Sequence, residues 1–167
     1  MGERPALFLG LLADQPELIA EVAVLRWRAS GAGGTAGPWI ESTSRDAGRD
    51  KLPLTLVAMD LEGRAIGALT LALIHDEVPA AGQCAPWLLR MVVRPDERRC
   101  GVGRLMIAAA EDLARQHGYA RLWVAPADID IDFYRHCGWG QPSAAERGAM
   151  RARDASLVLT KELTVVA

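Results

Sequence analysis

The chain alternates between two hydrophobic patterns: short continuous apolar runs, and stretches in which apolar residues recur every three or four positions. Continuous runs of this length are typical of buried β-strands. They predict strands at Leu7–Leu12, Leu54–Asp60, Ala65–His75, Trp87–Val93, Ala120–Ala125 and Ser156–Val166. Gly63 lies between the second and third runs, where a permissive residue favours a turn, so these two strands are expected to form a hairpin.

The three- and four-residue spacing predicts helices between the strands. Asp14 is expected to cap a first helix that ends at about Arg28, with Pro16 at an early helical position. The glycine-rich stretch Ser30–Gly37 predicts a loop. A short helix is expected to follow it, from Pro38 to about Ala47.

The strongest helical pattern begins just after Gly101. One apolar face is formed by Val102, Leu105, Met106, Ala109 and Leu113. Gly118 is placed to end this helix. A further short helix is predicted over Asp128–His136, and the polar stretch Pro142–Asp154 predicts no regular structure.

The resulting order, β-α-α-β-β-β-α-β-α-β, predicts an α/β fold in the broad sense, an α+β mixed sheet with helices packed on it. The crossover from Trp87–Val93 through the long helix to Ala120–Ala125 is expected to be parallel and right-handed. With 167 residues, 50% of them apolar, the chain has the size and composition of a single globular domain over residues 1–167.

Charge and cysteine content exclude several classes of protein. A formal net charge of −2 lacks the basic footprint of a nucleic-acid-binding protein. No apolar run approaches the roughly 20 residues needed to cross a membrane. Cys84, Cys100 and Cys137 form no C-x-x-C pair and share no metal-ligand spacing with the histidines. We expect a soluble cytoplasmic protein with reduced thiols, no metal, no nucleic acid and no membrane partner.

The segment with the clearest chemistry is Arg98–Gly103, Arg-Arg-Cys-Gly-Val-Gly, between a strand ended by Pro95 and the start of the longest helix. The first amides of a helix lack internal partners, and the helix dipole makes that end positive. Gly101 and Gly103 allow a ligand close to the backbone, and Arg104 adds a further positive charge. The segment predicts a pyrophosphate or other polyanion site, whereas the alternative is a tight turn that serves packing alone.

This segment is neither a Walker loop, which needs Gly-Lys-Ser/Thr, nor the dinucleotide fingerprint, which needs a third glycine. It resembles the Q/R-x-x-G-x-G/A motif of the GNAT superfamily of acyl-CoA-dependent N-acyltransferases, of the stand-alone bacterial type. The preceding strand LLRMVVRP, the following helix GRLMIAAAEDLARQHGYARLWV and the later FYRHCGW also match, so the resemblance covers about residues 52–140 well.

The resemblance implies the GNAT fold and acetyl-CoA as the cosubstrate. It implies that backbone amides of the motif hold the pyrophosphate, in the segment Arg98, Arg99, Cys100, Gly101, Val102, Gly103 and Arg104. It also implies that the strand end Met91, Val92 and Val93 pairs with the pantetheine arm like an added strand. Trp87 and Trp123 lie on the two strands that the family separates around the cosubstrate, so binding is expected to change tryptophan fluorescence.

Tyr134, in FYRHCGW, matches the tyrosine that commonly acts as general acid in the family. A phenol with a pKa of about 10 can donate a proton to the departing thiolate of coenzyme A. The alternative is a core tyrosine whose hydroxyl simply finds a partner. The preceding stretch PADIDID lacks the asparagine that the family often has there.

No general base is evident, because the strand segment Trp87–Met91 lacks the glutamate that many relatives carry. Candidates are His75, Asp76 and Glu77 after the third strand, Glu41 in the second helix, or a chain of water molecules.

The leading hypothesis is an N-acetyltransferase in which a primary amine attacks acetyl-CoA directly in a ternary complex. The alternatives are a non-catalytic acyl-CoA-binding or regulatory module on the same scaffold, and a phosphate-binding domain unrelated to coenzyme A. The acceptor is expected to be a small-molecule amine or a peptide N-terminus. Many relatives are dimers, so the resemblance leaves a homodimer open.

Overall fold

The computed structural model describes residues 6–73, 85–149 and 158–164. Its strands and helices are β1 (Phe8–Leu11), α1 (Ile19–Ser30), α2 (Gly37–Asp46), β2 (Leu54–Met59), β3 (Ala65–Ala72), β4 (Trp87–Val93), α3 (Val102–Gln116), β5 (Arg121–Val124), α4 (Ile131–His136), α5 (Ala144–Ala149) and β6 (Leu159–Glu162). The strands form a six-stranded sheet in the order β1 to β6. The sheet is mixed, because β4 and β5 are parallel whereas β1–β2, β2–β3 and β5–β6 are antiparallel. The predicted fold class, a mixed sheet flanked by helices, is confirmed.

The chain divides into two compact units, which are described separately. The first comprises residues 1–72 and 89–110, and the second comprises residues 73–88 and 111–167. The candidate bases His75, Asp76 and Glu77 lie outside the described residues. Among the described residues no helix is long and apolar enough to cross a membrane.

The start of the first unit corrects one prediction. Asp14 does not cap the first helix; it lies in a 3-10 turn, Leu12–Asp14, and forms an ion pair with Arg49. A second 3-10 turn with Pro16 at its first position follows, and α1 begins only at Ile19. Proline fits the first position of such a turn because it has no N–H to leave unpaired.

The predicted hairpin is confirmed by the antiparallel pairing of β2 and β3, with Gly63 at a φ of 77° in the turn. Gly67 lets two other elements approach β3 closely. A Cβ atom at Gly67 would lie 2.9 Å from the carbonyl oxygen of Val92 in β4 and 3.0 Å from Cε of Met106 in α3. The end of β4 and the first half of α3 are therefore both placed against this strand.

In the second unit, β4 begins beside β5. The parallel register pairs Trp87 with Trp123 and Leu88 with Val124, and the two indole rings stack with their centroids 6.0 Å apart. Gly118, with a φ of 82°, ends α3 as predicted, and the amide of Tyr119 reaches back to the carbonyl of Ala114 at 3.0 Å.

The prediction of no regular structure over Pro142–Asp154 is wrong in part, because residues 144–149 form α5. Ser143 and Glu146 form a reciprocal cap: the Ser143 amide donates to Oε2 of Glu146 at 2.7 Å, and the Glu146 amide donates to Oγ of Ser143 at 3.2 Å. The Ser-x-x-Glu pattern that signals this cap is visible in the sequence.

Candidate functional site

The end of β4 presents backbone groups in a defined direction. The amide of Arg94, just after β4, donates to the carbonyl of Ile66 in β3 at 2.8 Å. Because successive strand residues direct their amides to alternate sides, Met91 and Val93 direct theirs away from β3. Among the described residues, the ladder between β4 and β5 includes Trp87 and Leu88 and does not reach Met91–Val93. The amide of Val93 can therefore pair with an extended ligand that lies beside this strand end.

The loop after β4 turns the chain sharply into α3. A 3-10 turn at Pro95–Glu97 is followed by two residues with positive φ, Arg99 at 63° and Gly101 at 88°. A Cβ atom at Gly101 would meet nothing within 4 Å, so this side of the loop is open. Glycine is favoured at position 101 because it adopts a positive φ without steric cost. Since it has no side chain, a ligand can approach the backbone of the loop closely on this side.

The first turn of α3 has the properties of an anion site. The Leu105 amide donates to the Gly101 carbonyl at 3.1 Å, so the amides of residues 101–104 precede this first helical hydrogen bond. The dipole of this 15-residue helix places positive potential at the same end. Arg98, Arg99 and Arg104 are all exposed around it. The structure therefore brings the predicted polyanion-binding residues together in the first unit.

Two arginines near this loop are already engaged. The Nε of Arg98 donates to the carbonyl oxygen of Val93 at 3.1 Å, so its guanidinium lies on the end of β4. Arg94 is neutralised by Asp96 at 2.7 Å and Glu97 at 3.1 Å, and the hydrogen bond that its guanidinium donates to Asp96 raises the pKa of this guanidinium. Arg94 therefore serves to hold the turn and adds no free positive charge to the loop.

Arg90, in the middle of β4, is a feature that the sequence analysis missed. Its φ is 52°, a left-handed conformation that residues with a Cβ atom rarely adopt. Its side chain forms an ion pair with Asp46 at the end of α2. The sequence carries no signal for this conformation, because it depends on partners distant along the chain.

Tyr134 lies in α4 of the second unit and is 5% exposed. Its ring makes edge-to-face contacts with Phe133 and Trp139, with centroid distances of 5.4 and 5.7 Å. Burial raises the pKa of its phenol above the ordinary value, and Asp130 and Cys137 raise it further. The hydroxyl is consequently protonated over the whole physiological range, as a proton donor must be.

The structure does not single out a general base. Glu41, the one predicted candidate that it describes, is exposed on α2. No group of three or more histidine, cysteine, aspartate or glutamate residues within the described ranges is arranged to hold a metal ion.

Comparison with protein families gives one match. The sequence model of the acetyltransferase (GNAT) family matches residues 20–139, which is most of the chain and includes β4, the loop, α3 and Tyr134. No curated protein sequence matches the chain.

Solved structures match the fold at low sequence identity. The GNAT family N-acetyltransferase YhbS from Escherichia coli, in complex with CoA, has a TM-score of 0.68 at 18% identity, over 98% of this chain and 86% of that one. The glucosamine-6-phosphate N-acetyltransferase from Arabidopsis thaliana has a TM-score of 0.64 at 12% identity, over 83% and 94%. An aminoglycoside acetyltransferase from an uncultured soil metagenomic sample, in complex with trehalose, has a TM-score of 0.63 at 21% identity, over 78% and 86%. Identities this low establish the fold alone.

Proposed function

Because the chain belongs to the acetyltransferase (GNAT) family, we propose that it transfers an acetyl group from acetyl-CoA to a primary amine. The observation that carries this proposal is the open, cationic start of α3 directly after the strand end Met91–Val93. YhbS, which shares the fold, binds CoA.

The described residues fit the cosubstrate. The amides of Gly101, Val102, Gly103 and Arg104 would hold the pyrophosphate, with Cys100, Arg98 and Arg99 around them. Met91, Val92 and Val93 form the strand along which the pantetheine arm would lie, with the amide of Val93 directed to it. Since Arg98 contacts the carbonyl of Val93, its guanidinium has to release this carbonyl for a pantetheine amide to pair there.

The proposed reaction is direct transfer in a ternary complex. The amine nitrogen attacks the thioester carbonyl carbon, a C–N bond forms, and the C–S bond breaks. The thiolate of coenzyme A accepts a proton from the Tyr134 hydroxyl, which regains one from solvent, and the surplus proton of the amine passes to water. No acyl-cysteine is required, and Cys100 directs its thiol to the carbonyl of Arg98 at 3.5 Å.

The alternative function is a non-catalytic acyl-CoA-binding or regulatory module on the same scaffold. It is favoured by one observation, the absence of an acidic residue from Trp87–Met91 in β4. Such a module would bind acetyl-CoA but release no free thiol with any amine.

The acceptor is proposed to be a small-molecule amine or a peptide N-terminus, and the cytoplasm is the proposed location. Two proteins of the same fold are named as acetyltransferases of an amino sugar phosphate and of aminoglycosides. A screen for thiol release from acetyl-CoA should therefore include amino sugars, aminoglycosides, amino acids and short peptides. We also propose that the chain works as one acetyltransferase domain, since the family match spans residues of both units.

Replacement of Tyr134 by phenylalanine tests the proposal. With an amine substrate from the screen, Y134F should lower kcat by about a hundredfold or more while the Kd for acetyl-CoA, measured by calorimetry, stays unchanged. Tyr119→Phe, at the other tyrosine of the chain, is the matched control and should keep full turnover.

The pH dependence of the wild-type rate is a second test. Because burial raises the pKa of Tyr134, the rate should not fall between pH 8 and pH 10 through loss of the Tyr134 hydroxyl proton.

Unchanged turnover in Y134F would remove the acid role. Binding of acetyl-CoA without thiol release from any amine would favour the non-catalytic module.

A further inference from the structure

A strained residue lies directly before the proposed cosubstrate strand. Arg90 has a φ of 52°, and Met91–Val93 follow it. A left-handed conformation is unfavourable for a residue with a Cβ atom and persists only where surrounding contacts hold it. A single residue of this kind in a strand also reverses the side of the strand to which the following backbone amides point. The contacts that hold Arg90 therefore affect the direction of the Met91 and Val93 amides.

The Arg90 side chain forms an ion pair with Asp46, the last residue of α2. The Arg90 side chain is 40% exposed, but that of Asp46 is only 14% exposed. An ion pair between two freely moving exposed side chains contributes little. This pair can hold a strained backbone only if Asp46 is itself fixed in place.

A buried chain of hydrogen bonds fixes Asp46. Arg26 in α1 is 3% exposed and donates from Nη2 to Oγ1 of Thr70 at 2.8 Å. The Thr70 and Thr55 Oγ1 atoms lie 2.7 Å apart, and Thr70 is the donor of this hydrogen bond because the Thr55 proton goes to a carbonyl, which can only accept. The Thr55 hydroxyl in turn donates to the backbone carbonyl of Asp46 at 2.9 Å. Elements α1, β3 and β2 thus position the end of α2.

Electrostatics add a second constraint on Asp46. Burial and the charge of Arg90 lower the pKa of Arg26 to about 10, against the charge of Asp46, which raises it. The Asp46 carboxylate therefore interacts favourably with two guanidinium groups at once, one buried and one at the surface.

We propose that Asp46 is a positioning residue for acetyl-CoA: its ion pair with Arg90, fixed by the Arg26–Thr70–Thr55 chain, holds β4 in the left-handed conformation that directs the Met91 and Val93 amides. This inference rests on the proposed function, because it concerns the strand along which acetyl-CoA would bind. Asp46 itself acts only through Arg90.

Two substitutions of Arg90 separate the backbone effect from the loss of charge. R90A and R90G both remove the ion pair, but only glycine adopts a positive φ without steric cost. R90G should therefore bind acetyl-CoA about tenfold more tightly than R90A, measured by calorimetry. In an ordinary strand position glycine would be the poorer replacement, so this order is not expected from a general loss of stability.

Substitution of Asp46 in both backgrounds completes the test. D46A should weaken acetyl-CoA binding about tenfold when Arg90 is present. It should have no further effect in R90G, because glycine adopts the positive φ without an ion pair to hold it. Asp14→Ala is the matched control: it breaks another Arg–Asp ion pair of the first unit, with Arg49, and should leave the affinity unchanged.

Equal affinities of R90A and R90G, or an equal effect of D46A in both backgrounds, would overturn the proposal. Failure of the proposed function is a different result, since the wild-type protein would then not bind acetyl-CoA. In that case thermal unfolding still tests whether residue 90 is held in a left-handed conformation. R90G should unfold at a higher temperature than R90A, and the reverse order would overturn the proposal.

Discussion

At the scale of single residues, unusual backbone conformations concentrate where the cosubstrate is proposed to bind. Among the described residues, the non-glycine positions with positive φ are Arg90 and Arg99, and Gly101 follows two residues later. Such conformations cost free energy and tend to be kept at functional sites. Both arginines therefore lie beside the residues that are proposed to bind acetyl-CoA.

Gly101→Ala should weaken acetyl-CoA binding about tenfold, measured by calorimetry. Alanine disfavours the φ of 88°, and its methyl group would lie on the open side of the loop where a phosphate would approach. Gly63→Ala is the control, because Gly63 has a φ of 77°, equally open surroundings and a place in the β2–β3 turn. G63A should lose stability but keep its affinity, and equal losses of affinity in the two variants would contradict the assignment of the loop.

At the scale of elements, one lysine joins three parts of the second unit. Nζ of Lys161 in β6 donates to Oε1 of Glu111 in α3 and to the carbonyl of Cys137 just after α4, both at 2.8 Å. Glu111 is only 7% exposed, and Arg115 lies at a longer 3.9 Å. Lys161 thereby caps the C-terminal end of α4, the helix that carries Tyr134.

Lys161→Met should lower the free energy of unfolding by about 2 kcal/mol, because it leaves a buried carboxylate without its nearest cation. Lys51, the other lysine of the chain, is exposed, so Lys51→Met is a matched control with little expected effect. Denaturant unfolding of the two variants measures the difference. Equal midpoints would show that Lys161 does not stabilise this unit.

At the scale of the whole molecule, local and net charge differ in sign. The chain carries a net charge of −2, yet Arg98, Arg99 and Arg104 surround the start of α3. A site of this kind should bind a polyanionic ligand through local geometry, with little long-range attraction. We therefore expect selectivity for coenzyme A to depend on the strand end Met91–Val93 as well as on the arginines.

Acetyl-CoA and CoA should both raise the unfolding temperature, since both carry the pyrophosphate and pantetheine. At a ligand concentration of one hundred times Kd the stabilisation is about 2.7 kcal/mol. ATP and inorganic pyrophosphate should stabilise less, because neither has a pantetheine arm for Met91–Val93. Equal stabilisation by ATP would favour the general phosphate-binding domain.

Two further measurements concern the whole chain. Calorimetry should give one cooperative transition if the chain is one domain. Tryptophan fluorescence should change when acetyl-CoA binds.

Local patterns predicted much of this fold. The apolar run Trp87–Val93 coincides with β4, and the helical spacing that starts at Val102 coincides with the start of α3. These predictions succeed because a strand or helix must bury one pattern of side chains whatever surrounds it. The predicted ends succeed less well: β5 spans Arg121–Val124 rather than residues 120–125, since strand ends depend on pairing with a neighbour.

Other errors have local and non-local causes. The cap of α5 was present in the sequence as Ser143 and Glu146 and could have been recognised. By contrast, Asp14 forms an ion pair with Arg49 and does not cap a helix. The two residues are distant in sequence and come together only when the chain folds. Side chains that can cap or pair serve whichever partner the tertiary structure brings near.

The sequence by itself determined the order of strands and helices, the turn Arg98–Arg104 and the family resemblance, because each is written in neighbouring residues. Only the tertiary structure decided the left-handed Arg90, its ion pair with Asp46, the buried chain from Arg26 and the burial that raises the pKa of Tyr134. Arg26 and Thr70 are 44 positions apart along the chain, as are Asp46 and Arg90. Contacts at such separations exist only after packing has brought the elements together, so no local pattern predicts them.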